Sequence, residues 1–156
     1  KLKFVEAKRR VENSYFPYHR ALKRLIEDTK SRFGICLLID CHSMPSIGGP
    51  METDRGNKRV DIVLGNNHGS SCAPELFSYA VDSFRRLGMA VRCNDPYSGG
   101  YTTRYYGNPE NGIHTLQIEI NRSLYMEETT IEKHSGFLGL YDTITRLISD
   151  LSKYEY

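Results

Sequence analysis

The chain has 156 residues, 39% hydrophobic and 26% charged, with a formal net charge of +2. That balance suits one globular domain with a single core and excludes a disordered or collagen-like polypeptide. Lysines and arginines are interleaved with acids rather than gathered in a basic block, so nucleic-acid and membrane-surface binding have no support and a small-molecule or protein partner is expected.

The opening KLKFVEAKRR lacks the apolar core of a signal peptide, and no run reaches the length that spans a bilayer; a cytoplasmic location is expected. The sequence starts without a methionine and in mid-pattern. A single domain over 1–156, N-terminally incomplete and part of a longer polypeptide, is therefore expected. From Tyr15 the apolar residues Tyr18, Leu22, Leu25, Ile26 and Phe33 form a helical stripe closed by Gly34, with the reliable part starting at Pro17. Ile35–Ile39 then reads as a strand buried on both faces, running out in Asp40, Cys41, His42 and Ser43.

A long Gly- and Pro-rich loop follows, and loops of that length are often functional. Val60–Gly65 reads as a second strand, Pro74–Leu87 as a helix stopped by Gly88, and Met89–Cys93 as a third strand. The segment NDPYSGGYTTRYYG reads as a turn-rich loop. His114–Asn121 alternates cleanly, with Leu116, Ile118 and Ile120 on one face and Gln117 and Glu119 on the other. Phe137, Tyr141, Ile144, Ile148 and Leu151 mark a C-terminal amphipathic helix. The alternation of helices and strands predicts an α/β domain, a sheet flanked by helices.

The common nucleotide, zinc-protease and nucleophile-elbow motifs are absent. Chemistry concentrates instead at three strand ends: Asp40 with His42, Asn94 with Asp95, and Glu119 with Asn121 and Arg122. Alternation puts Asp40 and His42 on one face at a strand's carboxyl end, where open α/β sheets place ligands. A lone histidine there caps a strand or, when neutral, ligates zinc, with Asp40, Asp61 or Asp95 to orient it. Glu119 is either a general base or acid, or a solvated acid on an edge strand. Cys41 and His42 point to opposite faces and make no dyad. Arg104 is either a fork for a substrate carboxylate or an exposed loop arginine. Its neighbours Tyr97, Tyr101, Tyr105 and Tyr106 either wall a pocket or simply pack. His19 and His134 read as surface positions, and the four cysteines, without CxxC spacing, as reduced and mostly structural thiols.

Taken together, PYHRAL (Pro17–Leu22), LLIDCHSMPS (Leu37–Ser46), DIVLGNNHGSSC (Asp61–Cys72), NDPYSGGYTTRYYG (Asn94–Gly107) and HTLQIEINRSLYM (His114–Met126) resemble the N-formylglutamate amidohydrolase family. The resemblance implies a metal-dependent hydrolase with a zinc carboxypeptidase-like core, a mixed and mainly parallel sheet flanked by helices. It makes His42 a ligand of one Zn2+ ion and Glu119 the base that activates a water. It further suggests that Arg104, with Tyr101, Thr102 and Asn94, binds the substrate, N-formyl-L-glutamate or a related N-acyl amino acid. Family members also carry an earlier segment, with a His-Ser-Gly motif and a following acidic residue, that supplies the remaining ligands. No such segment precedes the five blocks, which leaves a non-catalytic ligand-binding or interaction module as the rival expectation.

Overall fold

The computed structural model describes residues 2–155. Helix starts well before Pro17: α1 spans Phe4–Arg10, a π-type turn covers Val11–Tyr15, and α2 runs over Phe16–Phe33. Pro17 has no N–H to return to the preceding turn, so the α ladder is interrupted just where the widened turn sits. At the other end Gly34 takes φ 77°, and its N–H closes on the Lys30 carbonyl at 2.8 Å. This left-handed cap turns α2 straight into the first strand.

Four strands form the main sheet: β1 (Cys36–Met44), β2 (Ile62–Gly65), β3 (Val91–Cys93) and β4 (Ile113–Asn121). Their order is β1-β4-β2-β3; β1 pairs with β4 and β2 with β3 in parallel, and only β2 and β4 are antiparallel. The mixed, mainly parallel sheet expected from the sequence is what the chain forms. A helix, α3 (Pro74–Arg86), links β2 to β3 as the strand-helix-strand pattern predicts.

Register divides the sheet into two faces. Leu116 and Ile118 of β4 join Ile62 and Leu64 of β2 in the main core, under α3 and the C-terminal helix α5 (Gly136–Leu151). On the other face α2 brings Leu22 and Ile26 against Cys36, Leu38, Ile113 and Tyr106, the last from a short helix, α4 (Tyr101–Tyr106). The sheet is thus covered by helices on both sides, as parallel pairing requires.

Several sequence expectations need adjustment. β1 extends to Met44, so Asp40 and His42 lie inside the strand rather than beyond it. The turn-rich loop contains α4, whose Thr103 and Tyr106, one turn apart, are buried together. β4 is an inner strand between β1 and β2, so Glu119 is not a solvated edge acid. A small hairpin, β5 (Met126–Glu127) with β6 (Glu132–Lys133), was not foreseen.

Candidate active site

The sheet joins two of the three expected strand ends. β1 and β4 run in the same direction, and their ladder sets Asp40 opposite Gln117 and His42 opposite Glu119. Side chains alternate across a strand, so these four share one face at the carboxyl end of the parallel pair. β3 points the other way, because β2 runs antiparallel to β4; Asn94 therefore emerges beside Leu64, whose carbonyl accepts its N–H at 2.8 Å. There the Asn94 side chain works on the backbone, accepting from the N–H groups of Asn66 and His68 at 3.0 and 3.3 Å and donating to Asn66 Oδ1 at 2.9 Å.

His42 has its Nε2 3.1 Å from Asp40 Oδ1, which orients the ring, while Nδ1 has no hydrogen-bond partner among the described residues; its side chain is 49% exposed. Glu119, by contrast, is only 7% exposed, and burial pushes its carboxyl above the usual carboxylate range despite the opposing pull of His42. One carboxylate oxygen, Oε1, accepts from Gln117 Nε2 at 3.0 Å. Gln117 was legible as a polar residue on the face of Glu119, but nothing in the spacing marked it as a partner.

The chain after β3 folds back over this face. Gly65, opposite Gln117 in the ladder, makes room: a Cβ there would stand 2.6 Å from the Ser98 carbonyl carbon. Gly100 N–H then donates to Gln117 Oε1 at 2.7 Å, and α4 starts at the next residue. Tyr101, Thr102 and Arg104 thereby follow directly from a residue tied to the site. Among the described residues the Arg104 guanidinium meets no carboxylate within ion-pair distance. Tyr101 stacks on Tyr105 at 5.0 Å and shares a hydrogen bond with Tyr15 at 3.1 Å.

Two clusters were missed from sequence. Arg59, with a side chain 2% exposed, pairs with Asp54 through Nε at 2.7 Å and Nη2 at 2.8 Å, and with Glu52 at 2.5 Å. Tyr97 lies over its guanidinium at 5.1 Å and bonds Glu52 through its hydroxyl at 2.5 Å. The Tyr97 hydroxyl holds Glu52 below the usual carboxylate range, and Arg59 does the same for Asp54. Glu52, Asp54 and Arg59 share one loop, but nothing in their spacing announces the lock, which is closed by Tyr97 from a separate loop beyond β3. His19, expected at the surface, is half-buried among tyrosines, its Nδ1 2.5 Å from the Tyr106 hydroxyl.

His114 is buried and accepts the Ala73 N–H on Nδ1 at 3.1 Å, which caps the entry to α3. A His-Ser-Gly tripeptide does occur, at His134–Gly136, after the five blocks rather than before them. Its histidine is exposed as expected, with Nδ1 accepting from Gly136 N–H at 3.0 Å and Nε2 3.1 Å from the Ser123 carbonyl, so neither ring nitrogen is open to a metal. All four cysteines are free thiols, Cys36 and Cys72 buried, Cys41 and Cys93 exposed.

A catalytic zinc normally takes three protein ligands and keeps one open position. Among the described residues no group of three or more His, Cys, Asp or Glu side chains is disposed to hold a metal ion. His42 is a single donor, and these residues do not by themselves make a zinc centre.

Parallel strands that deliver an imidazole and a buried carboxyl side by side, between helical layers, define a three-layer α/β protein with a polar site at its strand ends. Residues 1–126 match the profile of the N-formylglutamate amidohydrolase family, and the chain belongs to that family. Over 125 residues it is 38% identical to the N-formylglutamate deformylase of Pseudomonas putida, covering 80% of this chain and 46% of that protein. The N-formylglutamate deformylase of Pseudomonas aeruginosa is 34% identical over 125 residues, with 79% and 46% covered. The crystal structure of an N-formylglutamate amidohydrolase from Ralstonia eutropha superposes with a TM-score of 0.84 at 36% identity, over 97% of this chain and 54% of that one. A gene product of Agrobacterium tumefaciens shares the fold, with a TM-score of 0.66 at 20% identity, over 98% and 57%. The chain spans about half the length of the curated relatives it matches.

Proposed function

We propose that this chain carries the proton-transfer part of a hydrolytic site that cleaves N-formyl-L-glutamate to formate and L-glutamate. The names of its relatives support the substrate. The observation that carries the chemistry is Glu119: a carboxyl 7% exposed, raised above its usual range by burial, and opposite His42 at the end of the parallel pair. A carboxyl so shifted exchanges protons more readily near neutral pH, as a general base and acid must.

In this mechanism Glu119 takes a proton from the attacking water as its oxygen adds to the formyl carbon. The C–N bond then breaks, and Glu119 returns the proton to the departing amine, so that formyl amide plus water balances as formate plus amine. Arg104 holds a substrate carboxylate in its planar fork, with Tyr101 and Thr102 beside it on α4 and Asn94 shaping the turn at the end of β3. His42, its ring oriented by Asp40, would offer one imidazole ligand to a zinc ion. A zinc ion there would polarise the formyl carbonyl, and it would need further ligands besides His42.

Formate release by the purified chain tests this, with N-formyl-L-glutamate set against other N-formyl and N-acetyl amino acids. Release from N-formyl-L-glutamate is expected to fall about a hundredfold or more in Glu119→Gln. Undiminished turnover in that variant, with unchanged zinc uptake, would remove Glu119 as the base. Preference for an acetyl substrate would redefine the substrate class. The lone imidazole donor favours one second reading, a binding module without catalysis; saturable binding of N-formyl-L-glutamate without formate release would establish it.

A further inference from the structure

The face that holds Glu119 and His42 includes one residue whose hydrogen bonds run in both directions. Gln117 lies two residues before Glu119 on β4, is 5% exposed, and uses both ends of its amide. Its Oε1 accepts from the backbone N–H of Gly100 at 2.7 Å, and its Nε2 donates to Glu119 Oε1 at 3.0 Å. The direction of this chain is forced. A backbone N–H can only donate, so the amide must turn its oxygen to Gly100; its nitrogen then faces the carboxylate, which accepts.

We propose that Gln117 is a positioning residue that ties the Ser98–Gly100 turn to one oxygen of Glu119, so that α4 and Glu119 are set by a single link. The inference rests on the reading of Glu119 as the base. Three features of the fold converge on the link. Gly65, beside Gln117 in the ladder, has no side chain and so lets the Ser98–Gly99 backbone lie directly over the sheet. Gly99 takes φ 130°, and a Cβ there would stand 2.7 Å from the Thr103 side chain, so the turn is seated against α4 as well. The Gly100 carbonyl accepts the Arg104 N–H at 3.2 Å, placing the same residue at the start of the helix that carries Tyr101, Thr102 and Arg104.

The link also makes the two carboxylate oxygens unequal. Oε1 is occupied by Gln117, whereas Oε2 has no hydrogen-bond partner among the described residues. With one oxygen held, the carboxylate cannot rotate freely, and Oε2 is the atom left to meet a water. A strand that buries a carboxyl without such a partner would leave it to find its own orientation at the moment of reaction.

Amide NMR on the purified chain tests the link whether or not formate is released. In Gln117→Leu the Gly100 amide is expected to exchange with solvent about tenfold faster or more, while the amides of β2 and β3 keep their rates. In Glu119→Ala the Gln117 side-chain amide protons are expected to move toward the free-amide position while Gly100 stays protected. Unchanged Gly100 exchange in Gln117→Leu, or a Gln117 side-chain signal indifferent to Glu119→Ala, overturns the proposal. Should Gln117→Leu fail to fold, Gln117→Met is read in its place, and the Glu119→Ala arm decides without any change at 117.

Kinetics of formate release add a readout that a merely structural role would not move. Gln117→Leu is expected to lower kcat about ten- to a hundredfold with KM little changed. A raised KM at unchanged kcat would instead make Gln117 a substrate contact and overturn the positioning role. Absence of formate release from the wild-type chain counts against the proposed function, and the NMR arm then decides the link alone.

Discussion

The two faces of the β1–β4 pair come from the same two strands and are used in opposite ways. On one, Leu37, Ile39, Leu116 and Ile118 pack into the main core beneath α3 and α5. On the other, Asp40 stands level with Gln117 and His42 with Glu119. Burial does not separate Ile118 from Glu119, which are 3% and 7% exposed. What differs is the partner each atom finds. The apolar face gains from being out of water, whereas the buried Glu119 on the other face is tolerated by pairing with Gln117, and the half-exposed His42 is oriented by Asp40. The polar face is itself apolar nearer the start of the two strands, where Cys36, Leu38 and Ile113 meet α2, so the chemistry is confined to its carboxyl-terminal half.

That contrast can be broken at its strong side first. Leu116→Ala on the apolar face removes a side chain with no exposure and is expected to cost about 3 kcal/mol in urea unfolding. A loss under about 1 kcal/mol would show that this face is not the stabilising one. Next comes the rim of the site: Arg59→Leu strips the charge-assisted bonds that gather the loop around Glu52, Asp54 and Tyr97. A loss of about 2 kcal/mol is expected, with faster amide exchange confined to residues 46–59. Exchange that rises evenly through the sheet would instead place Arg59 in the global core.

A smaller effect is carried by pH. His114 is kept below its ordinary value of 6.5 by burial, so the folded chain takes up its proton later than the unfolded chain as pH falls. The stability this residue contributes is present above pH 6.5 and is lost as pH falls through the lower folded value. The urea midpoint of the wild type should therefore drop over that window more than that of His114→Gln. The finest test concerns Glu119, whose folded value is raised above 4.5, so stability falls as pH rises from 4.5 through the folded value. Glu119→Gln should flatten that slope, leaving the variant more stable relative to wild type at pH 8 than at pH 4. A parallel pH profile for the two proteins would mean that Glu119 is not strained by its burial.

Much of this was legible in the residues. Helix α2 ends at Gly34 because only a left-handed cap fits there, and the alternation from Leu116 to Ile120 assigned Glu119 to the face away from the core. The resemblance of five blocks led to the family. Other features were not local enough to read. The helix at Tyr101–Tyr106 hides in a Gly- and Tyr-rich stretch whose periodicity lasts less than two turns. Asn94 was grouped with His42 and Glu119 as a strand end, but strand direction, which periodicity does not encode, brings it out of β3 level with Gln117, with β2 between them. His19 looked exposed because its enclosure comes from Tyr101, Tyr105 and Tyr106, more than eighty residues away in the chain.

The sequence by itself determined which side chains each strand shows to each face and where the helices stop, because those follow from a period of two, a period of 3.6 and the backbone freedom of glycine. Only the tertiary structure decided which faces meet. The parallel register of β1 with β4 places His42 beside Glu119, and the antiparallel turn of β2 brings Gly65 to Gln117. Through that gap the Ser98–Gly100 turn reaches the carboxylate, a contact between segments that hydrogen bonding across strands, not adjacency along the chain, brings together.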